Sequence, residues 1–198
     1  MEETIRTFIS VPLPAEVLSE LRKMIDFFRP MGRNVKWVKP ESIHLTLKFL
    51  GNVTTDQRDS VFSALEEIFR TPPPALSLIA TGAGVFPNHR RPRVFWVGIE
   101  GDGFEELNIL QKSIEMLLSE KGFPVEHRRF SPHLTVGRIR SGRKLDIPTE
   151  TFTSYPFKPE EFTVDRVHIM KSELKPTSAV YTIQKSFELL KTEENLNL

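Results

Sequence analysis

Two tetrapeptides in this chain have the residue types to move protons near neutral pH: His44-Leu45-Thr46-Leu47 and His133-Leu134-Thr135-Val136. Each lies in a stretch that reads as a β-strand, where residues i and i+2 share a face. His44 and Thr46 therefore point one way while Leu45 and Leu47 point into the core, and the second motif divides likewise. An imidazole titrates close to neutrality, and a threonine hydroxyl can donate to an anionic oxygen. Two such pairs facing each other would clasp a phosphate. One histidine would then serve as base and the other as acid in opening a cyclic phosphodiester, with a bell-shaped pH dependence set by the pair. A lone His-x-Thr is more often a half-buried strand histidine with a satisfied hydrogen bond. Two copies with the same spacing and apolar anchors, one in each half of the chain, argue against that simpler reading.

The elements that must carry these motifs follow from hydrophobic period and punctuation. Arg6 to Val11 alternates and is stopped by Pro12 and Pro14, as an edge strand would be. Val17, Leu18, Leu21, Met24, Ile25 and Phe28 recur at helical spacing, giving a helix over about 15–29. Strand-like stretches follow at 34–39 and 42–50, parted by Pro40 and ended by Gly51. Thr54 or Thr55 can cap a second helix with Val61, Phe62, Leu65, Ile68 and Phe69 inward, terminated by the 71–74 run. Strands are expected at 76–86 and 93–99 around a basic loop, 88–92, then a third helix over about 104–121 stopped by Gly122. A loop at 141–144 and strands around 162–174 and 180–190 complete the chain before a polar tail from about 191. Short connections and alternating strands favour antiparallel pairing, hence an α+β fold.

Composition narrows the class. The 198 residues suit one domain, 1–198, with one core or two small lobes sharing it. With 27 Lys and Arg against 26 Asp and Glu, the formal charge of +1 offers no general attraction for duplex nucleic acid, so any RNA contact must be local. Cysteine is absent, which excludes disulfides, thiolate catalysis and Cys-ligated metal. Met1 to Pro14 has no basic region leading into a long apolar core, and no apolar run approaches the roughly 20 residues that cross a bilayer. The chain reads as cytoplasmic, neither exported nor membrane-inserted. No heptad or exposed helical seam marks an oligomer interface, and a monomer is expected.

The paired motifs resemble those of the two-histidine phosphoesterase superfamily. Trp37-Val38-Lys39-Pro40 leading into HLTLKFLG, then GVFPNHRRPRVFWVG, then FSPHLTVGRIR, is similar to the RNA 2′,3′-cyclic phosphodiesterases first described as 2′-5′ RNA ligases. The similarity runs over nearly the whole chain. It implies two pseudo-symmetric lobes, each an antiparallel sheet with outer helices, and an active-site cleft between them. It implies hydrolysis of RNA ends bearing a 2′,3′-cyclic phosphate to 2′-phosphomonoesters, with His44 as proton donor to the 3′ oxygen and His133 as the base that activates water. Ligation through a 2′-5′ linkage would be secondary, and neither a metal nor another cofactor is implied. The substrate could be a tRNA fragment, another oligonucleotide or a small cyclic nucleotide. Near the C-terminus, Ser172-Glu173-Leu174-Lys175-Pro176 with Tyr181 resembles a family segment, although Ser178-Ala179-Val180 stands where the family often has glycine.

Other residues are less distinctive. Thr46 and Thr135 are expected to hold the non-bridging oxygens. Arg138 matches a phosphate-contacting family position, yet on a regular strand it would face away from His133; a bulge at Gly137 would turn it back to the cleft. Phe49 holds the equivalent offset in the first motif, where core packing and stacking on a base are both open. Arg90, Arg91 and Arg93 could guide an RNA backbone or form a solvated charge run. Trp37 and Trp96 could stack on nucleobases, but a tryptophan on a strand is more often core and both are left out of the site; His89, in the basic loop, and His127 and His168, which lack a threonine partner, are assigned to structural or solvent-exposed positions. Two rivals remain: a non-catalytic RNA-end-binding module, and a metallohydrolase built on His44 and His133. Paired titratable groups argue against the first, and the lack of nearby carboxylates or histidines at ligand spacing against the second.

Overall fold

Prolines bound the first elements of the chain. The structure is a computed structural model describing residues 4–175 and 179–191; the expected tail and the Ser178 departure lie outside them. The first strand, β1 (Ile5–Val11), ends before the prolines, and Pro14 opens α1 (Ala15–Phe28). The apolar stripe of α1, Val17, Leu21, Met24, Ile25 and Phe28, is fully buried. A short strand, β2 (Val35–Trp37), and a 3-10 turn at Pro40–Ser42 lead to β3 (Leu45–Val53). Thr54 then closes a capping box with Gln57 at the start of α2 (Thr55–Ile68).

The second half repeats the plan with β4 (Leu76–Phe86), β5 (Val94–Glu100), α3 (Phe104–Glu120) and β6 (His133–Ile139). A short α4 (Thr149–Thr153) precedes β7 (Glu160–Val164), β8 (Arg166–Leu174) and β9 (Ala179–Glu188). Three expectations need correction. Gly51 does not end a strand: it lies within β3 opposite Thr7 with φ of 74°, a conformation open to glycine, beside a register shift. The 162–174 stretch is two strands, β7 pairing with β4 and β8 with β1, so the chain changes lobe at Asp165. The strand at Arg6 to Val11 is not an edge strand: β1 pairs with β3 on one side and β8 on the other, and the prolines after it end the strand without placing it at the margin.

The strands form one nine-stranded sheet in the order β7-β4-β5-β6-β3-β1-β8-β9, with β2 added to β6. All strand pairs are antiparallel. Lobe 1 is β3-β1-β8-β9 and lobe 2 is β6-β5-β4-β7, so the fold is the expected α+β pair of pseudo-symmetric lobes. Helices α2 and α3 pack on each other; α2 covers β3 and β9 of lobe 1, where Phe69 of its cap meets Phe187, and α3 spans β3 of lobe 1 and β4 of lobe 2. Lobe 2 is backed by α1 and α4, with Phe28, Trp37, Phe95 and Phe152 interlocked beneath it. The central strands of the lobes join at Leu45 opposite Leu134, in the middle of the two histidine motifs, and an isolated bridge between Pro74 and Leu190 links the segments before β4 and after β9.

Candidate active site

The apolar anchors fix where the polar groups point. Leu45, Leu134 and Val136 are fully buried and Leu47 is 3% exposed, while His44, Thr46, His133 and Thr135 between them are half-buried on the opposite, concave face. With Leu45 opposite Leu134 in an antiparallel pair, the same register carried one residue either way sets His44 across from Thr135 and Thr46 across from His133. Directly opposed residues on such strands hold their Cβ atoms roughly 5 Å apart. Each imidazole is thus matched with the hydroxyl of the other lobe.

Both rings are held in the same way. The Nδ1 of His44 is 2.9 Å from the carbonyl oxygen of Ser42, and the Nδ1 of His133 is 2.7 Å from that of Ser131. A carbonyl oxygen only accepts, so Nδ1 carries the proton in each neutral ring and Nε2 is left for chemistry. His44 stacks on Phe8, with centroids 4.6 Å apart, and meets the edge of Tyr181 at 5.2 Å. His133 meets the edge of Phe86 at 4.9 Å, with Trp96 at 6.5 Å. Burial among these rings lowers both imidazoles below their ordinary value, and the carbonyl bonds offset part of that. His133 is depressed further by the guanidinium of Arg138. Burial likewise raises the Tyr181 phenol, against the pull of Arg138 and Arg6.

The register between β5 and β6 shifts between Phe95 and Trp96: Phe95 opposes Gly137 but Trp96 opposes Thr135. Val136 and Gly137 both lie inward as a result, and Arg138 returns to the concave face with His133 and Thr135. A similar shift in β3 sends Leu47 and Lys48 inward and brings out Phe49 beside Phe8. Phe49 is 53% exposed, with the Arg6 guanidinium over its ring, so its side chain is not a core element. Buried Lys48 bonds Glu115 of α3 at 2.5 Å and the carbonyl of Pro124 at 3.0 Å, tying the approach to β6 onto lobe 1.

Trp37 is packed in the core with its indole N–H donated to Gly32. Trp96 is a correction. It opposes Thr135, so it faces the cleft, and its indole lies flat over Gly84, where an added Cβ would meet Cζ2 at 2.1 Å. His89 and His127 are exposed, and His168 is buried with its Nδ1 2.9 Å from the Ser186 hydroxyl. Among the described residues no three His, Cys, Asp or Glu side chains cluster as metal ligands. One signal was overlooked: the repeat begins two residues earlier, as Ser-x-His-Leu-Thr, and that serine supplies the anchoring carbonyl each time. Lys36, across from Arg138, carried no motif.

Two lobes that each present an anchored imidazole and a hydroxyl to one cleft define the two-histidine phosphoesterase class. The family described as LigT like phosphoesterase matches the chain twice, over residues 11–96 and 97–181, one match to each half. The chain therefore belongs to the LigT-like phosphoesterases. It is 33% identical over 93% of its length to an RNA 2′,3′-cyclic phosphodiesterase of Methanothermobacter thermautotrophicus, 99% of which is covered. The enzyme of the same name from Aquifex aeolicus is also 33% identical, over 88% of this chain and 90% of its own. A crystal structure from Thermus thermophilus superposes with a TM-score of 0.73 at 30% identity, covering 93% of this chain and 98% of that one. E. coli LigT complexed with 3′-AMP shares the fold at a TM-score of 0.72 and 22% identity, over 94% and 99% of the two chains.

Proposed function

We propose that this protein hydrolyses the 2′,3′-cyclic phosphate at the end of an RNA to a 2′-phosphomonoester, with His44 as proton donor, His133 as proton acceptor and no metal. The observation that carries the reading is the pair of Nδ1-anchored imidazoles, each one residue before the Leu45–Leu134 pair that joins the lobes. The relatives that cover nearly all of their own length are named for this activity, which supports it.

In the proposed step, the Nε2 of neutral His133 takes a proton from water as the water oxygen bonds to phosphorus. The bond from phosphorus to O3′ breaks, and protonated His44 gives that oxygen its Nε2 proton; the O2′ bond stays. His44 ends neutral and His133 charged, and exchange with solvent resets both. The neighbouring Arg138 disfavours a proton on His133, which suits a base, whereas His44 has no such cation among the causes of its shift. The bound phosphate anion favours the charged form of His44. Thr46 and Thr135 would donate to the non-bridging oxygens and Arg138 would pair with them, aiding the reaction as their negative charge grows. A 5′-hydroxyl in place of water runs the related 2′-5′ ligation, which we rank second. We place the protein in the cytoplasm as a monomer acting on RNA ends, tRNA fragments among them; among the described residues no helix is long and apolar enough to cross a membrane.

The test is turnover of an RNA ending in 2′,3′-cyclic phosphate in excess chelator, with the product isomer identified. Chelator-resistant formation of the 2′-phosphate is expected. A 3′-phosphate product would reverse the assignment of the leaving oxygen. Turnover lost only with chelator would point to a metal, and tight binding without turnover to a binding module.

A further inference from the structure

One end of lobe 2 carries a group of cations that the hydrolysis does not use. On the concave face Lys36 of β2 is the cross-strand partner of Arg138. Just beyond, the Ile139 N–H donates to the Arg93 carbonyl and the Arg140 N–H to the Asn34 carbonyl, both at 2.9 Å, so the ends of β2, β5 and β6 are laced together. Lys36, Arg90, Arg91, Arg93, Arg138 and Arg140 therefore share one end of one sheet, and all are exposed.

Two features set this rim apart from an ordinary solvated surface. The six cations lie together at one end of the sheet, and none of them is in an ion pair among the described residues. The nearby Asp146 carboxylate accepts the Asn34 N–H at 2.9 Å instead. The loop is also held in place. Asn88 Oδ1 accepts the N–H groups of Arg90 and Arg91 at 3.1 and 3.0 Å, and the Thr149 hydroxyl donates to the His89 carbonyl at 3.2 Å. In a chain of formal charge +1, six unpaired cations at one end mean that charge is segregated. Lobe 1 has no counterpart: the positions of β3 at the offsets of Arg138 and Arg140 are Phe49 and Gly51.

We infer that this rim is a track for the sugar-phosphate backbone upstream of the reacting end, so that the substrate is the terminus of a single-stranded RNA and not a free cyclic nucleotide. The inference rests on the hydrolysis proposed above. A cyclic mononucleotide brings one phosphate, which the cleft and Arg138 already receive; only further phosphates can use Lys36, Arg90, Arg91, Arg93 and Arg140. Each single-strand phosphate neutralised adds about 0.7 to the slope of log affinity against log salt.

The experiment measures kcat/KM on adenosine 2′,3′-cyclic phosphate and on oligonucleotides of increasing length with the same end, across a salt series, for wild type and R90Q/R91Q/R140Q. With wild type, kcat/KM should rise with length and then level off, and the salt slope should be steep only for the longer substrates. The triple variant should lose about tenfold or more on long oligonucleotides, with a slope shallower by about 2, and stay within about twofold on the mononucleotide. Equal wild-type kcat/KM and salt slope on both substrates would overturn the track alone, as would a variant that falls alike on both. Turnover of neither by wild type would overturn the hydrolysis itself and the track with it.

Discussion

Buried rings set the proton chemistry of each histidine. Because burial lowers both imidazoles and Arg138 lowers His133 further, the form with His133 neutral and His44 charged is most populated on the acid side of the ordinary imidazole value of about 6.5. The kcat/KM profile, which reports the free enzyme, should therefore be a bell with its optimum below about pH 6.5; an optimum at or above about pH 8 would contradict this. Arg138→Gln should raise the His133 pKa and narrow the bell from its acid side while increasing KM; an unmoved acid limb would separate Arg138 from His133. The histidines and threonines were legible because their types and spacing recur. Trp96 was not, since an aromatic residue on a strand suits either face until the strand's partner is known. Tyr181 could be connected with His44 only through family likeness, because 136 residues separate them in sequence.

Bulges decide which side chains reach the cleft. Gly137 is the narrow point of one: a Cβ there would meet Val35 Cγ1 at 2.7 Å and Trp37 Cε3 at 3.0 Å. Gly137→Ala should cost about 1–3 kcal/mol in chemical denaturation by pushing β2 from β6, and should weaken catalysis by displacing Arg138. An alanine variant as stable and active as wild type would deny the bulge that role. Lys48 is the other dependency of its strand. Lys48→Met leaves Glu115, the acceptor also of the Glu126 N–H at 2.8 Å, without its cation, and should destabilise by about 3 kcal/mol. The three long helices were legible from their period and caps. The β7–β8 break at Asp165 was not, because both strands are apolar on alternate positions and only their different partners distinguish them. Gly51 misled for a similar reason: a glycine that serves a bulge looks, in sequence, like one that ends a strand.

Across the whole molecule, two half-buried histidines and one buried one tie stability to pH. His44, His133 and His168 all titrate below their ordinary value, chiefly through burial, with Arg166 adding to the effect at His168. Above about pH 6.5 the rings are neutral folded or unfolded; as pH falls from there through the lowered values, the unfolded chain takes up protons that the folded one resists, and stability is lost. The urea midpoint should therefore drop between about pH 7 and pH 5, and drop less in His44→Gln/His133→Gln; equal slopes would contradict this. The central strands of the two lobes pair at Leu45 and Leu134, a contact between distant residues that no local pattern reveals, so the repeat in sequence pointed to two lobes without giving the register that joins them. That register sets the two histidine motifs side by side. The most direct test is kcat of His44→Ala, His133→Ala and the double variant on RNA ending in 2′,3′-cyclic phosphate. A single acid-base pair requires each single loss to be about hundredfold or more, and the double variant to be little worse than either. A single variant at the wild-type rate, or losses that simply multiply, would contradict it.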